Sequence, residues 1–278
     1  MSETSEPQHE PATNRARPVL PSHWWREILI IAVFYGLYTL VRDIRSTKPV
    51  SYLQAFTNAK RIIRLETILG VFHEQQIQHW FLHDRSFIRF WNDYYGTAHF
   101  VVVIAVLVMM FFWFPAHYRL WRNTLAITNL IALIGFTVFP LMPPRLLPPS
   151  YHFVDTLQKF GGFWNFSSGA INHVSNQYAA MPSLHTAWAL WCAVALFPVL
   201  RAWWTKLLLL IYPLATIFCI VVTANHYFAD EAAGIVVLGV SYFLANRLTL
   251  ALDRRHNQRE VELGHELAAP PPDRARLP

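Results

Sequence analysis

Charge is what this chain has least of. Asp, Glu, Lys and Arg together make up 14% of its 278 residues, against roughly 25% in an ordinary soluble domain. A soluble domain of this size needs more polar surface than that. A typical soluble enzyme is therefore excluded, as are a disordered scaffold and a fibrous repeat. Cysteine is nearly absent: Cys192 and Cys219 both lie inside apolar runs and read as small hydrophobes, not as a disulfide or a metal pair. No internal repeat or coiled-coil heptad is evident, and the polar residues 1–22 contain no apolar stretch of signal-peptide type. What the chain has in quantity is hydrophobic, 54% of its residues, with 11 Trp, 11 Tyr and 20 Phe. The expected class is a polytopic membrane protein. The net charge of +6 then reads as cytosolic loops facing anionic lipid, and no nucleic-acid partner is expected.

Six apolar segments fit helices in lipid: 27–41, 98–116, 123–142, 185–200, 207–224 and 232–250. A helix needs about 20 residues to cross ~30 Å of hydrocarbon. The first and fourth segments reach that only with their flanking turns. The expected fold is all-α, a six-transmembrane helical bundle over 23–250, with a flexible arm at 1–22 and a disordered, Pro-rich tail at 251–278. Residues 58–82 form an additional amphipathic helix, with Ile62, Leu65, Ile68, Leu69 and Phe72 at helical spacing. It either caps the bundle or helps to admit a lipid substrate. Trp24, Trp25, Trp203 and Trp204 read as interface anchors. With a cytosolic N-terminus, Arg119, Arg122, Arg201, Lys206 and Arg247 fall on the cytosolic side, in line with the positive-inside rule. The external segment 42–96, with eight basic residues, departs from it. This places both termini in the cytoplasm, in a multi-pass membrane protein.

In so apolar a chain the polar residues at span ends are informative. Arg145 follows the third span, Ser183 and His185 open the fourth, and Asn225, His226 and Asp230 lie between the fifth and sixth. Alternating spans put all of them on one face, the external one. Such a group suits phosphoryl transfer. His226 and Asp230 are one helical turn apart, so the carboxylate can hold one ring nitrogen protonated and leave the other to attack phosphorus. His185 can protonate the leaving alkoxide. Arg145 offers a planar, permanently charged fork, and Ser183 sits where a helix N-terminus favours an anion. Each of these residues taken singly has a structural reading, and His99, His117, His152 and His173 are read as structural or solvent-facing. A metal site built from His185, His226 and Asp230 is an alternative by residue type, but it lacks a second short-spaced ligand pair, so no metal and no cofactor are expected.

Pro182-Ser183-Leu184-His185, followed by His226-x-x-x-Asp230, resembles the type 2 phosphatidic acid phosphatase (PAP2) superfamily over roughly residues 90–240. Met142-Pro143-Pro144-Arg145 makes the chain look more like its inositol phosphorylceramide synthase-related branch, which includes bacterial members. The resemblance implies a metal-independent phosphohistidine mechanism. In it His226 is the nucleophile, Asp230 its orienting carboxylate and His185 the general acid. Ser183 and Arg145 bind phosphate. Two cations of the family pattern are missing: Val138 stands at the first-motif lysine position, and Cys219-Ile220 stands where Ser-Arg opens the third motif. Arg42 and Arg45 are candidate replacements, and Asn225 a possible auxiliary. The expected function is a phosphotransferase on lipid phosphates or phosphodiesters, moving phosphoinositol or a similar headgroup to an alcohol. The alternatives are a lipid phosphate phosphatase, with water as acceptor, and a non-catalytic lipid-binding or transport protein. The partners expected are the phospholipid substrate, the acceptor and membrane lipids, with the oligomeric state open.

Overall fold

A computed structural model gives the fold and describes residues 25, 27, 29, 32, 33, 36, 51–163 and 178–268. Among these, residues 25, 27, 29, 32, 33 and 36 are helical, and eight further helices follow. They are α1 (Tyr52–Leu69), α2 (Glu74–Phe81), α3 (Arg85–Trp113), α4 (Pro115–Val138), α5 (Thr156–Phe160), α6 (Leu184–Leu196), α7 (Trp203–Val222) and α8 (Phe228–Ala268). Two short 3-10 turns, Pro144–Leu146 and Pro149–Tyr151, lie between α4 and α5.

The all-α expectation holds, but the six-span bundle does not. Among the described residues, three helices are long and apolar enough to cross a membrane: α3, α7 and the Phe228–Leu252 part of α8. The expected fourth span fails on length. α6 stops at Leu196 after 13 residues, about 20 Å of helix. The expected third span becomes α4, which has the length but carries Arg119, Arg122, Asn123, Thr124, Thr128 and Asn129 along it. Thr124, Thr128 and Asn129 each donate a side-chain hydrogen bond to the carbonyl four residues back, and α4 packs extensively against α8. The expected first span falls largely outside the described residues. Glu27 belongs to it, and there Arg122 Nη1 donates to both Glu27 carboxylate oxygens at 2.6 Å.

Two other expectations change. The amphipathic segment is two helices, because Gly70, with φ 71°, ends α1 and donates back to Glu66 and Thr67. Its apolar stripe divides: Leu65, Ile68 and Leu69 are exposed, while Ile62 lies on the buried side of α1 with Ala55, Asn58, Ala59 and Glu66. At the far end, α8 continues to Ala268, past Leu250. Residues 251–268 are rich in Leu, Glu, Arg and Ala, good helix formers, and contain no proline.

α6 sits centrally, touching α3, α4, α7 and α8. Two apolar clusters flank its start. One joins Val103, Met110, Trp121 and Leu125 to Ala187, Trp191 and Leu238. The other joins Ala55, Ala59 and Ile62 of α1 to Leu141, Met142 and Tyr227. On the candidate spans the large apolar side chains turn outward: only 28%, 33% and 17% of the α3, α7 and α8 windows are buried. Such continuous exposed apolar faces are those of a membrane-associated protein.

Candidate active site

The turn that carries His226 is set by the end of α7. Thr223, Ala224 and Asn225 donate their N–H groups back to Cys219, Val221 and Ile220 at 3.0, 2.9 and 2.9 Å, and Ala224 adopts left-handed backbone, φ 54°. This closes α7 and leads Asn225, His226 and Tyr227 into α8. His226 is 4% exposed and Asp230 fully buried. His226 Nδ1 lies 3.3 Å from Asp230 Oδ2, and the same oxygen accepts the Tyr227 N–H at 3.1 Å. The Tyr227 hydroxyl donates to Met142 O at 3.1 Å. Burial, then the neighbouring Asp230, Glu66 and Glu74, hold this phenol well above its usual range.

His185, in the first turn of α6, places its ring centroid 5.7 Å from that of His226. Tyr95 stacks on His185 at 4.4 Å, and His99 meets it edge-on at 4.4 Å. His185 Nε2 is buried without a hydrogen-bond partner. Ser183 caps α6: its Oγ accepts from the Thr186 N–H at 3.4 Å and from the Thr186 hydroxyl at 3.2 Å. Its own N–H donates to Asp230 O at 2.9 Å, joining the start of α6 to the start of α8. The approach is close enough to require glycine at 234, where a Cβ would lie 2.5 Å from Ser183 O.

Arg145 comes from the first 3-10 turn. Its N–H donates to Ala224 O at 2.9 Å, its Nε to Asn225 Oδ1 at 3.0 Å and its Nη1 to Asp155 Oδ2 at 2.9 Å. Asn225 is itself held, donating from Nδ2 to Thr223 Oγ1 at 2.8 Å. The guanidinium is thus fixed beside the His226 turn, with N–H groups to spare on Nη1 and Nη2.

The structure therefore gathers Arg145, Ser183, His185, Asn225, His226 and Asp230. Arg42 and Arg45 lie outside the described residues. Val138 is exposed at the end of α4, whereas Cys219 and Ile220 are fully buried, and Cys219 Sγ donates to Trp91 O at 3.2 Å. Among the described residues, no three His, Cys, Asp or Glu side chains group as metal ligands. Sequence reasoning missed Tyr95, His99, Asp155, Glu66 and Glu74. For Glu66 there was a signal: it continues the 55, 58, 59, 62 register of the buried face of α1.

The sequence matches the PAP2 superfamily over residues 60–244, well over half of the chain. A helical membrane-type fold with a buried His–Asp pair, a second histidine and a tethered arginine fits that class, and the chain belongs to the PAP2 superfamily of phosphatases and phosphotransferases. No curated protein and no solved structure matches it.

Proposed function

We propose that this enzyme transfers a phosphoryl or phospho-alcohol group from a membrane lipid through a phosphohistidine at His226. The observation that carries the reading is the contact of His226 Nδ1 with Asp230 Oδ2, with the unpartnered Nε2 of His185 in the ring facing it. Asp230 accepts the Nδ1 proton and directs the Nε2 lone pair of His226 to phosphorus. The P–O bond to the leaving alcohol breaks, and His185 protonates the departing oxygen. His185 then takes a proton from water or an alcohol, whose oxygen attacks phosphorus and frees His226. The spare N–H groups of Arg145 hold the phosphate oxygens through both steps.

Transfer of a phosphodiester headgroup, of the inositol phosphorylceramide synthase type, is the narrower form of the proposal. Buried Ile220 in place of a cation and the pairing of Arg145 with Asp155 favour a donor phosphate of low charge. Hydrolysis of a lipid phosphate is the second reading. Purified enzyme in mixed micelles with phosphorus-labelled phosphatidylinositol or phosphatidic acid, with and without added polyol, separates the two. Label is expected on the protein, acid-labile and absent in His226→Ala, with turnover down by at least a thousand-fold. Undiminished turnover in that variant would sink the mechanism.

A further inference from the structure

Two carboxyl groups that the chemistry above does not use hold the N-terminus of α8. Glu66 Oε1 accepts the Ala229 N–H at 2.7 Å, and Glu74 Oε1 accepts the Phe228 N–H at 3.0 Å. With the Tyr227 N–H on Asp230, three successive amides between His226 and Asp230 each end on a carboxyl oxygen. The free N–H groups of a helix start usually go to a local cap or to water. Here the acceptors come from 163 and 154 residues away, on α1 and α2. Both glutamates are buried, at 1% and 0% exposure.

The two glutamates also meet each other. Their Oε1 atoms take successive amides, which sets the two carboxyl groups side by side, and Oε2 of each is buried with no hydrogen-bond partner. Two buried carboxylates so placed repel each other, whereas a carboxylic acid and a carboxylate can share a proton.

We propose that Glu66 and Glu74 are positioning residues of the active site, a proton-sharing pair that seats the Phe228 and Ala229 amides and so fixes the His226–Asp230 geometry. The pair touches no substrate and acts through the backbone. The proposal rests on the phosphohistidine reading only for what that geometry is used for. One negative charge beneath a helix N-terminus is favourable. Two would repel each other and the buried Asp230 and Glu231 of α8. The groups facing Glu66 are Glu74 from α2, Asp230 and Glu231 from α8, and the Tyr227 phenol from the turn. Burial, reinforced by Glu74, keeps the Glu66 proton in place up to about 9, against an ordinary value of 4.5. The sign follows: the stabilisation this carboxyl provides is complete below its ordinary value and is lost as pH rises through about 9.

The test uses the full chain in detergent, with Glu66→Ala, Glu74→Ala and Glu66→Gln. A glutamine at 66 keeps an acceptor for Ala229 and a donor for Glu74 but cannot lose a proton. Both alanine variants should speed amide exchange over 226–232 at least ten-fold. On whichever labelled lipid the wild type turns over, they should lower kcat ten-fold or more with KM within two-fold. Glu66→Gln should restore wild-type exchange and at least a third of kcat. It should also remove both the fall in melting temperature between about pH 4.5 and 9 and the loss of turnover as pH passes about 9. Wild-type exchange in both alanine variants, or a Glu66→Gln protein no better than Glu66→Ala, overturns the proposal. An alanine variant too unstable to purify leaves the decision to the Glu66→Gln pH profile, where a wild-type alkaline loss counts against it. If no lipid is turned over by the wild type, the reaction reading fails, while exchange and melting still decide the seat.

Discussion

At the residue scale, Arg145 is a shared cation. Its Nη1 pairs with Asp155, both side chains 17% exposed, so a phosphate bound there, as proposed, would compete with a carboxylate already in place. Asp155 also caps α5, accepting the Gln158 N–H at 3.1 Å. Asp155→Asn keeps the cap and removes the competitor. It should tighten inhibition by orthovanadate, a phosphate mimic, roughly three- to ten-fold, about 1 kcal/mol, measured as Ki in micelles. An unchanged Ki would mean that Asp155 does not compete with the anion. The polar residues at the segment ends were legible because their types and short spacings state a chemistry. His99 was not legible. It sits mid-helix among apolar neighbours, and only the packing of α3 against α6 puts it 4.4 Å from His185.

At the scale of elements, the site depends on how closely α6 and α8 approach. Gly234 faces the Ser183 carbonyl, and an added Cβ would sit 2.5 Å from that backbone oxygen, which cannot swing aside. Gly239, on the same helix, has nothing within 4 Å of its would-be Cβ. Gly234→Ala should therefore destabilise by about 1–3 kcal/mol through overpacking and lower turnover. Gly239→Ala should be neutral or stabilise by up to about 1 kcal/mol through helix propensity. Paired melting curves in one detergent check both, and equal effects would show that the contact is slack. The sequence predicted one amphipathic helix over 58–82, and its large apolar residues divide: Ile62 is buried, whereas Leu65, Ile68 and Leu69 are exposed. Periodicity did not separate the two sets, because a membrane protein has two apolar exposures, and size alone does not tell lipid from core. The small and polar residues Ala55, Asn58, Ala59 and Glu66 mark the side that meets protein.

For the whole molecule, hydropathy located the apolar segments but not the lengths of their helices. Three of the described helices, not six, have spanning length and composition. An alternation of six spans therefore cannot be what brings the polar clusters to one place. The bonds that gather them join distant parts of the chain: Ser183 N–H to Asp230 O, Arg145 N–H to Ala224 O, and the glutamate pair beneath Phe228 and Ala229. None of these is written in hydropathy. The outward apolar faces make their own prediction. Ile104 of α3 is 59% exposed. Ile104→Asp should cost about 3 kcal/mol of insertion energy if that face meets lipid, seen as a lower membrane-integrated yield. Against water the same change would be nearly silent.

The unbroken run of α8 ties the chemistry to a distant reporter. Asp230 lies in its first turn, and Arg254, exposed on the same helix, is about 36 Å further along it. A spin label at 254 would follow the orientation of the Asp230 carboxylate as the tip of a pointer follows its pivot. A tilt of a few degrees at the site, too small to see locally, becomes a displacement of a few ångströms at that label.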